Sequence, residues 1–410
     1  MKRIVSGLRG GNEMQRRELL SDQGKEHAKK PKLLIATRVL GASGQPWLWR
    51  QVVGLRGFRR ELLCWKRDNP ETYPLGNVSL HVLSEDPAPY DNANRWWHRL
   101  RTLPGRNFYA ATGRERGKLD ELLQQVRPDV ILCYFGDIAM RLLPVAQHRG
   151  VPLVAYFHGD FQFLDNLWYR WSLAHVARCF ATVVVVNQIE REWLLQHGVR
   201  EEKLHVIPCG APTDLFRPRD VASEGPVRFV MASRLSTAKG CEWSIRAFAQ
   251  VAKELPDSPL HIYGDGPLRD QLQHIVSELG LEDRVVFHGW IEERRLSEVL
   301  PSYDVFLQHS LKREGFGVSI VEAAACGMPV VVTAVPGIAG EHVLDGQTGL
   351  CVPEKDVTAM ASLMLKLARS PELRQRLGKA GRERAVRLFD SSFMTHRLQQ
   401  VILGVSENEK

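Results

Sequence analysis

No apolar run in this 410-residue chain approaches the ~20 residues that a bilayer-spanning helix needs. The best candidate, CGMPVVVTAVPGIAG, is too short and is broken by glycine and proline. The first thirty residues hold no hydrophobic segment, so they do not read as a secretory signal peptide. They read as a flexible basic extension, with Met14 available as an alternative start. Cysteine is scarce. The seven cysteines are odd in number, scattered, and without a CxxC pair or metal-ligand spacing. That pattern fits small core residues in a reducing compartment better than a disulfide framework. Low-complexity tracts and short-period repeats are missing. So is anything resembling a nucleic-acid module, so nucleic acid is not an expected partner. No carboxylate cluster or His/Asp spacing offers a cation site, so neither a metal nor another cofactor is expected.

What is present is an ordinary soluble composition with an uneven charge. Residues 1–30 carry eight Lys/Arg and four Asp/Glu, residues 31–220 carry 25 and 19, and residues 221–410 carry 22 and 24. The basic excess lies in the first half. That fits an acidic partner there, such as a membrane surface or an anionic acceptor.

Single cores stop growing at roughly 250–300 residues, so the length implies two domains. KLLIAT, ELLCW, VSLHV, DVILCY, PLVAYF and ATVVVV follow one another in the first half, with helical stretches such as KLDELLQQV and IEREWLLQHG among them. After residue 226 the rhythm restarts with VRFVMA, PLHIY, RVVF, DVFLQ, PVVVT and GLCV. Continuous apolar strands alternating with helices predict parallel sheets covered on both faces, hence two Rossmann-like, doubly wound α/β domains facing a cleft. The expected division is residues 1–30 as the extension, 31–218 as an N-terminal acceptor-side domain, and 219–390 as a C-terminal domain. Residues 391–410 are expected to form a helix that packs back on the first domain.

In open parallel sheets ligands sit beyond the carboxyl ends of the strands. Four segments fall at such places. In VRFVMASRLSTAKGCEWSIRAFA, Arg234 and Lys239 bracket a turn before a helix, a setting that suits a diphosphate; the bland reading is two solvated loop cations. LHIYGDGPLRDQL gives a strand, a tight turn at Gly264 and a helix with Pro267 at its first position. VVFHGW ends a strand at Gly289 and Trp290, where a planar ligand can approach; a turn glycine after a core strand is the equal alternative. In KREGFGVSIVEAAACGMPVVV, Glu314 enters from a loop and Glu322 sits in the second turn of a helix closed by Gly327. Both carboxylates can grip a diol such as a sugar or a ribose. The alternatives are an exposed helix position for Glu322 and a first-turn acid on the helix dipole for Glu314.

SRLSTAKG, YGDGP, HSLKREGFGVSIVEAAACGMPVV and GIAGEHVLDGQTGLCVP together resemble the family 4 retaining glycosyltransferases of GT-B fold. The resemblance is dense over residues ~200–385 and thinner over ~125–200. It implies a metal-independent hexosyltransferase that moves a sugar from a nucleotide-sugar, UDP- or GDP-linked, to a glycan or lipid-linked acceptor in cell-surface polysaccharide biosynthesis. It further implies that Arg234 and Lys239 bind the donor diphosphate and that Glu314 contacts the sugar. The amides of Gly315, Phe316 and Gly317 would bind its O3 and O4, and Glu322 the ribose diol. His158 would stand beside the transferred sugar, with Asp160 near it. Ser233 replaces a frequent glycine, Pro212 and Thr213 alter an interdomain segment, and VLGASGQPWLWRQV replaces a glycine-rich loop, leaving Gly41 and Gly44 as its remaining glycines.

The stretch 92–118 mixes six arginines with Trp96, Trp97, Phe108 and Tyr109. It reads as an attachment to an anionic membrane face, making the protein cytoplasmic and peripheral, or equally as a solvated segment whose aromatics pack inward. A nucleotide-sugar epimerase and a non-catalytic nucleotide-sugar-binding protein are the competing functions. The EGFG loop argues against the first and the intact Arg234, Lys239, Glu314 and Glu322 against the second.

Overall fold

A computed structural model describes residues 30–42, 44–83, 102–103, 106–159, 166–219, 225–311 and 313–408. Asp160, Trp96, Trp97 and residues 1–29 lie outside them. The first half folds as β1 (Lys32–Leu40), α1 (Pro46–Gly54), β2 (Arg59–Arg67), β3 (Ser79–Val82), α2 (Gly113–Val126), β4 (Val130–Tyr134), α3 (Gly136–His148), β5 (Leu153–Tyr156), α4 (Leu167–Val176), β6 (Thr182–Val185), α5 (Gln188–Gln196) and β7 (Leu204–Val206). The second follows as β8 (Phe229–Ala232), α6 (Cys241–Glu254), β9 (Leu260–Tyr263), α7 (Arg269–Glu278), β10 (Val285–Gly289), α8 (Glu293–Val299), β11 (Val305–Gln308), α9 (Val318–Ala325), β12 (Val330–Thr333), β13 (Leu350–Val352), α10 (Val357–Arg369), α11 (Pro371–Leu388) and α12 (Ser391–Asn408).

All strands pair in parallel. The first sheet has the order β3-β2-β1-β4-β5-β6-β7 and the second β10-β9-β8-β11-β12-β13. Both sheets start at a middle strand and reverse direction beside it. In the first, Ile35 of β1 stands opposite Leu62 of β2 and Leu132 of β4. In the second, Val230 of β8 stands opposite His261 of β9 and Phe306 of β11. The chain ends beyond β1, β4, β8 and β11 are therefore the two switch points, where this kind of sheet leaves a crevice.

One face of each sheet has its own apolar core. The other faces join in a single cluster that runs from Leu33 and Tyr134 through Cys209, Phe216 and Phe316 to Val230, Val332 and Phe389. A fully buried side chain such as Phe216 contributes about 2–3 kcal/mol of apolar transfer, so this shared cluster ties the halves together. The C-terminal helix α12 closes the loop. It lies on α1 and β4, with the Gly57 amide donating to Gln399 Oε1 at 2.7 Å and Arg397 donating to the Val206 carbonyl at 3.3 Å. Thr213 donates to Asp390 at 2.6 Å where the chain crosses between the halves.

Two elements differ from the sequence reading, at Pro267 and at β7. Helix α7 starts at Arg269, so Pro267 belongs to the preceding turn; the Leu268 amide is spent on the Leu235 carbonyl at 3.1 Å, which holds that turn to the neighbouring loop. Strand β7 has no counterpart in the sequence reading, because three residues give no measurable period. Phe108 and Tyr109 are buried, the first stacked on Trp171 and the second edge-on to Tyr169, so these two aromatics of the 92–118 stretch face inward. Six of the seven cysteines are buried or half-buried, Cys179 is exposed, and none is bonded to another. Among the described residues no helix is long and apolar enough to cross a membrane.

Candidate active site

The loop after β11 is where the second sheet concentrates its polar groups. Glu314 Oε1 accepts from Lys239 Nζ at 2.7 Å and from Ser310 Oγ at 2.6 Å. Ser310 in turn accepts from Gln308, and Gln308 accepts from Ser319 on α9, both at 3.0 Å. The carboxylate is thereby fixed in one orientation. Lys239 stands on a short 3-10 turn, Thr237–Lys239, directly before the amino end of α6, which adds a helix dipole to its charge. Arg234, five residues earlier, is exposed, and its side chain makes no hydrogen bond or ion pair among the described residues. The two cations thus flank one loop, one already paired and one open to solvent.

Glycines set how closely this loop can be approached. A Cβ on Gly337, at φ +91°, would sit 2.0 Å from the Glu314 carbonyl oxygen, so only glycine fits there. On the other side, a Cβ on Gly315 would come within 3.1 Å of Gly159 Cα, so the EGFG loop touches the turn after β5. Asn187, the cap of α5, clamps the contact by donating to the Gly315 carbonyl at 2.6 Å. The Glu190 amide donates to Asn187 Oδ1 at 2.8 Å, and its carboxylate accepts from the Val186 amide at 3.2 Å and from the Gly159 amide at 2.6 Å. That Asn-x-x-Glu pair was visible in the sequence after a strand, yet only the fold reveals that it holds the two halves in register. Gly317 caps α9, and Phe316 turns its ring inward against His342 and Phe389.

His158 therefore lies across from Glu314, at the carboxyl end of β5. Its ring is half-buried, packed on Trp47 at 4.2 Å and Tyr156 at 3.9 Å between centroids, and desolvation holds it neutral, well below the usual histidine range. Its Nδ1 contacts Cys209 Sγ at 3.3 Å, and burial keeps that thiol protonated. A protonated thiol is a donor toward Nδ1, which leaves Nε2 buried and without a partner. Phe135, beside it, adopts φ +74° and ψ 140°, backbone that non-glycine residues avoid, so strain is stored at this wall.

Glu322 is buried, and no basic residue of its own helix faces it. Its charged neighbours come from far along the chain: Glu293 of α8, and Arg50 of α1, which pairs with Glu293. Burial first and the Glu293 carboxylate second raise its pKa to about 8, with Arg50 acting in the opposite direction. The bare faces of two other glycines are already occupied, Gly41 by the Asp68 carbonyl and Gly264 by that of Ser233. Gly44 is open, the Gly289 carbonyl accepts from Gly264, and Trp290 lies at the surface. Trp47, Arg50, Gln51, Asn187, Glu293 and Ser310 were not singled out from sequence, because none belongs to a local pattern with chemistry of its own. Among the described residues no group of three or more His, Cys, Asp or Glu is placed to hold a metal ion.

Two family models divide the chain between them: glycosyltransferase family 4 over residues 76–215 and glycosyl transferases group 1 over residues 213–384. A GDP-mannose-dependent α-(1-6)-phosphatidylinositol monomannoside mannosyltransferase of Mycolicibacterium smegmatis is 31% identical over 306 residues, 68% of this chain and 78% of that one. The chain belongs to the family 4, group 1 glycosyltransferases. Another relative, an MMP α-(1→4)-mannosyltransferase of Mycolicibacterium hassiacum, is 30% identical over 272 residues, 60% of this chain and 64% of that one. Among solved structures, Anabaena HepE in complex with UDP and glucose superposes with a TM-score of 0.75 at 19% identity, covering 91% of this chain and 99% of that one. Sucrose-phosphate synthase from Thermosynechococcus elongatus gives 0.71 at 21%, covering 92% and 99%. The fold of this glycosyltransferase is GT-B.

Proposed function

We propose that this glycosyltransferase moves a hexose from a nucleotide-sugar to a glycan or lipid-linked acceptor, with retention of configuration and without a metal ion. The observation that carries the reading is the Lys239–Glu314–Ser310 constellation facing His158 and Gly159 across the cleft. Lys239 and Arg234 flank the amino end of α6 and supply the positive charge that a departing diphosphate needs. Glu314 and the amides at Gly315, Phe316 and Gly317 take the sugar hydroxyls, and Glu322 takes the ribose diol. His158 lines the sugar from the opposite wall, and the acceptor hydroxyl attacks from the face the diphosphate leaves.

The GDP-mannose dependence of the mycobacterial relative and the UDP held by Anabaena HepE keep GDP and UDP as the two donor classes. The relative's phosphatidylinositol-linked acceptor fits the basic first half of this chain. A peripheral position at an anionic membrane on the cytoplasmic side agrees with it. Its described support is the outer face of α4, where Leu167 is 69% exposed and Trp168 36%, beside exposed Arg106 and Arg170. A panel of UDP-, GDP-, ADP- and dTDP-sugars tests the donor by thermal shift, with and without EDTA. One nucleotide class should raise the melting temperature regardless of EDTA, and NMR of the transfer product should show the donor's anomeric configuration. An inverted product, or a shift abolished by EDTA, overturns the mechanism.

A further inference from the structure

Cys209 stands on the chain that leaves β7 for the second domain, and its Sγ lies 3.3 Å from His158 Nδ1. The residue is 5% exposed, belongs to the apolar cluster shared by both halves, and is not in a disulfide. Its backbone is held from the other side. Gly210, at φ +74°, packs so closely on the start of α12 that a Cβ there would meet Ser391 Cα at 2.7 Å. The Ala211 amide donates to the Phe389 carbonyl at 2.8 Å, and the Ser391 amide donates to the Ala211 carbonyl at 2.9 Å. The thiol is therefore presented to the ring by a fixed segment.

The other polar groups around the ring are committed elsewhere. Tyr134 donates its hydroxyl proton to Gln51 at 2.9 Å, and Tyr156 donates its own to the Ile207 carbonyl. The Gly159 amide goes to Glu190 at 2.6 Å. A neutral imidazole has one proton for two nitrogens, so one nitrogen donates and the other accepts. Desolvation, reinforced by the Glu190 carboxylate, keeps the Cys209 thiol protonated, and desolvation keeps the ring neutral. A thiol that keeps its proton donates to Nδ1, which places the imidazole proton on Nε2. Nε2 is buried and has no hydrogen-bond partner among the described residues. A buried N–H without an acceptor is costly, so its place is opposite an oxygen of the ligand. Cysteine suits the position because it packs as a small apolar residue and still offers a weak donor.

We propose that Cys209 is a positioning residue for the transfer: its thiol proton on Nδ1 fixes the His158 tautomer, so that the ring presents Nε2–H as a hydrogen-bond donor to an oxygen of the transferred sugar. With that proton in place Nε2 takes none from the acceptor hydroxyl, and His158 orients the sugar without serving as a general base. This rests on the reading of His158 as the residue beside the transferred sugar.

The test is nitrogen-15 NMR of the full chain labelled at histidine, with His158→Phe identifying the ring among the fourteen histidines. In wild type Nδ1 should resonate as an unprotonated, hydrogen-bonded acceptor and Nε2 as a protonated nitrogen. Cys209→Ala should shift the Nδ1 resonance and lower kcat roughly three- to tenfold, about what one hydrogen bond supplies, with donor KM little changed. Cys209→Ser keeps a hydroxyl donor and should restore the Nδ1 signature and most of the rate. A wild-type ring protonated on Nδ1 overturns the proposal, as does a Cys209→Ala enzyme with wild-type kcat. Equal losses of rate and melting temperature in both variants, with the ring resonances unchanged, would mark a merely structural role and also overturn it. If His158→Phe keeps the wild-type kcat, the placement of His158 beside the sugar is itself wrong, and the role of Cys209 falls with it.

Discussion

The two walls of the cleft share one sheet topology and handle charge in opposite ways. On the second sheet a charged pair, Lys239 with Glu314, stays partly open to solvent beside the exposed Arg234. On the first sheet the His158 ring is half-buried and neutral, and charges of that half are spent internally: Arg38 on Asp137, and Arg141 on Glu115. Burying a charge is expensive unless it is matched, whereas a neutral imidazole costs little to enclose. The geometry thus separates a wall suited to a phosphate-bearing donor from a dry wall suited to the sugar and its acceptor.

Three changes probe that division, from large effect to small. Replacing Lys239 with alanine removes the cation proposed to stabilise the leaving diphosphate and releases Glu314. We expect kcat/KM to fall roughly 10²–10³-fold, about 3–4 kcal/mol of transition-state stabilisation, in a donor-saturation assay. His158→Phe should keep the packing on Trp47 and Tyr156, lowering kcat roughly ten- to hundredfold with little change in melting temperature or donor KM. If it raised donor KM instead, and Lys239→Ala affected only the acceptor, the two walls would have exchanged roles.

The smallest effect concerns stability. Glu322 has a folded pKa, about 8, above its unfolded 4.5, so its favourable contribution is present below pH 4.5 and is lost as pH rises through 8. Between pH 5 and 8.5 wild type should lose roughly 1–3 kcal/mol relative to Glu322→Gln in paired denaturant titrations. Parallel curves would mean that the carboxyl is ionised throughout.

The second wall was far more legible in the sequence than the first, for a physical reason. Its groups lie in short contiguous segments: Arg234 and Lys239 flank one turn, and Glu314 through Glu322 run from one loop into one helix. Each segment carries its own signals of strand end, turn glycine and helix start. The first wall is assembled from side chains of β4, β5 and α1 and from the chain before Cys209, so no window of sequence contains it. Tyr134, Trp47 and Cys209 read there as ordinary core residues, and in part they are. Gly41 and Gly264 show the converse: a glycine at a promising turn that the fold uses for backbone packing.

The sequence by itself determined the alternation of strand and helix, the parallel sheets and the second-half motifs, because these depend on hydrophobic period and local turn chemistry. Only the tertiary structure decided the partners of each polar group. That Asn187 clamps the EGFG loop and that Arg50 reaches Glu293 from the other half depend on how two sheets are set against each other. Such contacts span more than a hundred residues, and no local preference encodes them.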